Sequence, residues 1–111
     1  AYSNEVNGAP NAALAVGDLN SQIPKEYSLS QNYPNPFNPS TTIEFSVPAA
    51  SFVSLKVYDM LGREVSTIVN EALTAGVYRG TFYGTGLPSG VYFYRLRAGD
   101  FVETKKLILQ K

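Results

Sequence analysis

The chain contains no cysteine, no histidine and no tryptophan. The first absence removes thiolate nucleophiles, disulfides and cysteine-ligated zinc, and the second removes the commonest general base and metal ligand. Most nucleophilic triads and metal-hydrolase sites therefore have no side chains to be built from, and no cofactor is expected. Charge is scarce too: only 16% of the 111 residues are ionisable acids or bases, and nine of each sign cancel. Without a basic excess to neutralise phosphates, nucleic acid is a poor partner. The longest apolar run, Ala12 to Val16, falls far short of the roughly 18 residues that span a bilayer, so no transmembrane segment is expected. Phosphate-loop and calcium-loop patterns are missing, and the Asn38-Pro39-Ser40 triplet is blocked as a glycosylation sequon by its proline. The lack of disulfides leaves the compartment open, since a bacterial surface protein with a sufficient core can do without them. The start at Ala1 suits a processed or excised chain.

What is present argues for one folded domain. Hydrophobic residues make up 44% and aromatics 13%, too much for a disordered chain. Composition shifts along the sequence: residues 1 to 40 hold seven of the eight Asn and five of the seven Pro, while the β-branched and aromatic residues gather after Thr41. We divide the chain into an extended segment, 1–26, and a folded domain, 27–111. Within the first segment, Ala12, Leu14 and Val16 form an apolar patch that a plain linker does not need, which makes them a candidate donor strand.

From Thr41 onward the pattern has period two, with turn residues every 8 to 12 positions, which predicts an antiparallel β-sandwich. Ile43, Phe45 and Val47 share one face of the first long strand, and Val53, Leu55 and Val57 point inward from the second. A tight reversal at Asp59 to Arg63, with Gly62 free to take φ > 0, should return the chain along Glu64 to Asn70. Strands follow at Gly76 to Tyr83, where Gly80 marks a bulge or a close approach of another backbone, then at Val91 to Arg97 and Phe101 to Leu109. With a short strand near Tyr27 to Ser30 the total is about seven. Pro34, Pro36 and Pro39 stiffen the entry to the domain, and Phe37 plugs one end of the core.

Other chemistry is limited. Asp59 with Glu64, and Asp100 with Glu103, flank turns and are the available carboxylate pairs, but exposed turns lack the burial that makes a general acid. Tyr78, Tyr83, Tyr92 and Tyr94 form a candidate sugar-stacking platform, although aromatics at strand spacing are more often core. Lys105 and Lys106, with Arg95 and Arg97 on the neighbouring strand, form a modest basic patch.

Several blocks in register carry a family resemblance. Tyr33-Pro34-Asn35-Pro36-Phe37-Asn38-Pro39-Ser40-Thr41-Thr42-Ile43 is similar to the opening of the C-terminal sorting domain of the bacterial type IX secretion system. So are Leu55 to Val65, Ala75 to Tyr78, Leu87 to Leu96 and Thr104 to Leu107, in the family's order. The resemblance implies an immunoglobulin-like sandwich that is an address and not an enzyme, on a protein secreted or displayed at the surface of a Gram-negative Bacteroidota-like bacterium. It also implies two partners: a translocon that reads the address, and a sortase-like peptidase that removes it and attaches the cargo to lipopolysaccharide. By the same resemblance, partner contacts map to Gly90, Val91, Tyr92, Lys105, Lys106 and Lys111. Because little sequence precedes the domain, a second reading is a small subunit that polymerises with copies of itself by donating Ala12 to Val16 to a neighbour's sheet edge. A carbohydrate-binding module is the third.

Overall fold

The computed structural model describes the backbone of Ala15–Val16 and all of residues 23–111. Eight strands are present among the described residues: β1 (Ala15–Val16), β2 (Ser28–Leu29), β3 (Ser40–Val47), β4 (Ser51–Tyr58), β5 (Glu64–Leu73), β6 (Gly76–Tyr83), β7 (Gly90–Ala98) and β8 (Phe101–Leu109). No helix occurs among the described residues. Two sheets form, ordered β1-β6-β3-β2 and β5-β4-β7-β8, with every strand pair antiparallel. The seven strands expected from periodicity are β2 to β8, each displaced by at most a few residues.

Alternation places the core where the sequence pattern puts it. Ile43, Phe45 and Val47 of β3 meet Val53, Leu55 and Val57 of β4, and Tyr92, Tyr94 and Leu96 of β7 complete the layer, all buried. Such side chains contribute about 1.5 to 3 kcal/mol each on leaving water, which offsets the entropy of ordering the strands. Phe45 stacks on Tyr78 with ring centroids 5.6 Å apart. Phe37 plugs one end of the sandwich, edge-on to Phe82 at 5.8 Å. Its backbone also laces the sheets together, since Phe37 N–H donates to Ile108 O and Gln110 N–H to Phe37 O, both at 3.0 Å.

The irregularities lie where the sequence did not put them. Gly80 pairs regularly with Ile43, so it is not a bulge. A Cβ there would sit 2.6 Å from Ile68 Cγ2, so what comes close is a side chain of the opposite sheet and not another backbone. The register shifts fall instead between β4 and β5, at Leu55/Lys56 and Val57/Tyr58. The first shift leaves Ile68 unpaired, and both Ile68 and Val69 become buried although they are consecutive.

A polar network anchors the proline-rich entry. The Tyr94 hydroxyl, fully buried, donates to Ser30 O at 2.7 Å and accepts from Asn32 N–H at 2.9 Å. Asn32 Nδ2 then donates to Thr41 Oγ1 (2.9 Å) and to Pro34 O (3.1 Å), and Thr41 Oγ1 donates to Pro34 O (2.8 Å). Burial pushes the Tyr94 pKa up to about 12, with the Asn32 N–H acting in the opposite direction.

Candidate functional site

Segments far apart in sequence meet at the Phe37 end of the sandwich: the β4–β5 turn, the β6–β7 loop, the start of β7 and the C-terminus. The turn is fixed by Asp59, whose Oδ1 accepts Leu61 N–H and Arg63 N–H and whose Oδ2 accepts Arg63 Nε, each at 2.9 Å. Gly62 at φ +84° completes it, in a region that other residues rarely adopt. These bonds hold the Asp59 carboxyl below its usual pKa, the Arg63 N–H first among them. With the backbone so occupied, Met60 and Leu61 project into solvent, 69% and 77% exposed.

Across from the turn, Gly84 N–H donates to Pro39 O at 2.7 Å and Leu87 N–H to Gly84 O at 3.0 Å. The Tyr92 hydroxyl donates to Pro88 O at 2.6 Å, and Lys111 N–H reaches Ser89 Oγ at 3.1 Å. Burial followed by the nearby Asp59 charge raises the Tyr92 pKa. Between turn and loop lies an open groove of about 570 Å³, lined by Met60, Leu61, Val65, Leu87, Val91 and Tyr92 with Asp59, Arg63 and Glu64 on its rim. A second shallow groove, about 650 Å³, lies at the opposite end around Tyr27, Phe52, Arg97 and Asp100.

The partner-contact residues from the sequence divide between two places. Gly90, Val91 and Tyr92 line the groove, and Lys111 lies beside it. Lys105 and Lys106 lie farther along β8, opposite Tyr94 and Phe93. They point to opposite faces, and Lys105 pairs with Glu103 at 3.3 Å. The basic patch is accordingly corrected: Lys105 leaves it, and Lys56 of β4, directly opposite Arg95, joins it. Of the donor-strand candidates, Ala12 and Leu14 lie outside the described residues, while Val16 belongs to β1, whose backbone pairs with β6 of its own chain. The sugar platform is overturned, because Tyr78, Tyr92 and Tyr94 are core residues and Tyr83 alone is exposed.

Each carboxylate pair has a member bound to a cation, Glu103 to Lys105 among them. Asp59 is held by Arg63, and Glu64 is held by Lys56 at 3.5 Å and by the Thr67 hydroxyl. The Thr67 bond, ahead of the Lys56 charge, lowers the Glu64 pKa. Both shifts run against the needs of a general acid. Among the described residues no group of three acids is placed to hold a metal, and no helix is long and apolar enough to cross a membrane.

Periodicity did not reveal the exposed apolar residues of this end, Met60 and Leu61, with Tyr33 and Tyr83 beside the other sheet. The available signal was two consecutive apolar residues inside a turn, where neither has a sheet face to enter.

The family model for the secretion system C-terminal sorting domain matches residues 31–110. No curated protein and no solved structure matches the chain. The matched stretch begins at the polar network under the proline-rich entry, runs through every strand from β3 to β8, and ends beside Lys111. The chain therefore belongs to the type IX secretion C-terminal sorting domain family, whose members are sorting signals of secreted or cell-surface proteins.

Proposed function

We propose that residues 27–111 form a non-catalytic address, preceded by the segment 1–26, which directs an attached protein across the outer membrane to the cell surface. The type IX translocon reads it, and a sortase-like peptidase acts on it afterwards. The sandwich is immunoglobulin-like in this reading, a view supported by the order β5-β4-β7-β8 facing β6-β3-β2. The surface that is read is the Phe37 end. The observation that carries this is convergence: blocks around residues 59–64 and 87–92 resemble the family separately in sequence and line one groove, with Met60 and Leu61 exposed on it, while the 33–39 block is tied to the same end through Phe37 and Pro39. Burying such a side chain in a partner contributes about 1.5 to 3 kcal/mol, enough to move an affinity by about ten- to a hundredfold for each of the two.

The test fuses a reporter protein ahead of the full chain in a bacterium with type IX machinery, alongside a strain lacking the translocon. Reporter at the surface or in the medium of the first strain, and in the periplasm of the second, is the expected result. Equal periplasmic retention in both strains would refute the address.

A further inference from the structure

The two outer faces of the sandwich differ in charge. On the outer face of β3 and β6, Glu44 and Arg79 sit opposite each other and pair at 3.3 Å. The outer face of β5-β4-β7-β8 is unbalanced: Lys56, Arg95, Arg97 and Lys106 all project from it by strand alternation. Glu64 is the one carboxylate at a strand position of this face among the described residues, and it is already taken by Lys56. The excess is hidden in the sequence, where the totals cancel.

The cations are arranged for recognition. Pairing puts them in rows: Tyr58, Phe93 and Lys106, then Lys56, Arg95 and Thr104, then Ser54, Arg97 and Val102. Arg95 lies over the Tyr58 ring, 5.1 Å from its centroid, and its Nε donates to Thr104 Oγ1 at 3.3 Å. These two contacts hold the guanidinium over the Tyr58 ring, and such a group is suited to a bidentate carboxylate. Arg95 and Arg97, two positions apart on one strand, are spaced about 6.8 Å, the repeat of alternate side chains on any extended chain. Strand spacing makes the face about 20 Å across and 30 Å along, on the scale of what one partner gives to a standard protein interface.

We propose that this face docks a protein surface presenting carboxylates at sheet spacing, a second contact made while the Phe37 end is being read; it rests on the sorting reading for its setting. Arg, Tyr and Phe at the centre of the patch match the composition of protein interfaces. Arg95 covers the Tyr58 ring and leaves Phe52 as the exposed ring of this face, so a glycan is a competing occupant that heparin tests. Phe52 and Val102 are exposed on the same face, so a bilayer is the other competing occupant, which the vesicles test.

The experiment titrates the isotope-labelled 111-residue chain with a decapeptide of alternating Glu and Ser, and in parallel with heparin and with vesicles of mixed neutral and anionic phospholipid. Peptide-induced amide shifts at Ser54, Lys56, Arg95, Arg97 and Thr104 are expected, weakening at least tenfold in Arg95→Gln/Arg97→Gln. The variant Arg97→Gln/Lys106→Gln leaves the Arg95–Tyr58 contact intact and should weaken binding comparably with an unchanged urea midpoint. Shifts elsewhere, unchanged binding in both variants, or tighter binding of heparin or vesicles at these amides would overturn the proposal. In the reporter fusion, Arg95→Glu/Arg97→Glu should reduce export about tenfold. A wild-type fusion that is not exported would count against the sorting reading instead, while the peptide titration still decides the face.

Discussion

Gly80 lies where a side chain of the opposite sheet comes close, and replacing it with alanine tests the packing directly. The added methyl would stand 2.6 Å from Ile68 Cγ2, nearer than carbon atoms approach in folded proteins, and 3.9 Å from Leu55 Cδ2. Ile68 is branched at Cβ and buried, so that methyl cannot swing aside without leaving its rotamer. Overpacking of this kind costs about 1 to 3 kcal/mol, reduced by the roughly 0.5 to 1 kcal/mol that alanine gains over glycine inside a strand. Gly80→Ala should therefore destabilise by about 1 to 2 kcal/mol. With a urea m-value of about 1.5 kcal/mol/M, the midpoint falls by roughly 1 M. The decisive measurement is the double-mutant cycle. Ile68→Ala alone costs about 2 to 5 kcal/mol as a cavity, but it removes Cγ2, so Gly80→Ala added to it should become neutral or stabilising. Urea unfolding followed by far-UV circular dichroism reads all four corners. Additive effects, within about 0.5 kcal/mol, would refute the close approach as the reason for the glycine.

Three further outcomes are expected. Phe45→Ala, removing a buried ring stacked on Tyr78, should cost about 3 to 5 kcal/mol in the same urea assay, and an unchanged midpoint would contradict the core assignment. Gly62→Val should destabilise by at least about 1 kcal/mol, because φ is +84° there and a β-branched residue avoids that region; full stability would contradict the turn. Tyr94 titrates near 12 in the fold against about 10 when unfolded, so its contribution is complete below pH 10 and is lost as pH rises from 10 to 12. Tyr94→Phe should lower stability at neutral pH by about 1 to 3 kcal/mol, by stranding Asn32 N–H and Ser30 O, and flatten the alkaline decline; an unchanged alkaline slope in unfolding melts would contradict it.

Period-two alternation was enough to expose most of the architecture. Ile43, Phe45, Val53, Leu55 and Val57 each obey it because both sheets bury one face and solvate the other. It failed where two residues oppose one: Ile68 and Val69 are both buried through a register shift that no single strand announces. Ser46 escaped for a different reason. It faces outward yet is buried, since Ser28 and Glu26 lie over it and its hydroxyl donates to Glu26 O at 3.0 Å. The candidate site was legible block by block, and Gly90, Val91 and Tyr92 fall in its groove. Its shape was not, because convergence of the turn, the loop and the C-terminus depends on strand order. The same gap explains the basic face: Lys56 and Arg95 are far apart in sequence, and only the β4–β7 pairing makes them neighbours.

In the proposed function a folded end of the sandwich is what the secretion machinery reads. The most direct measurement is export of the reporter fusion carrying Met60→Ser/Leu61→Ser, two exposed positions whose replacement should leave the urea midpoint within about 0.5 kcal/mol of wild type. Surface delivery should fall at least tenfold with the fold intact. Delivery equal to wild type would contradict it.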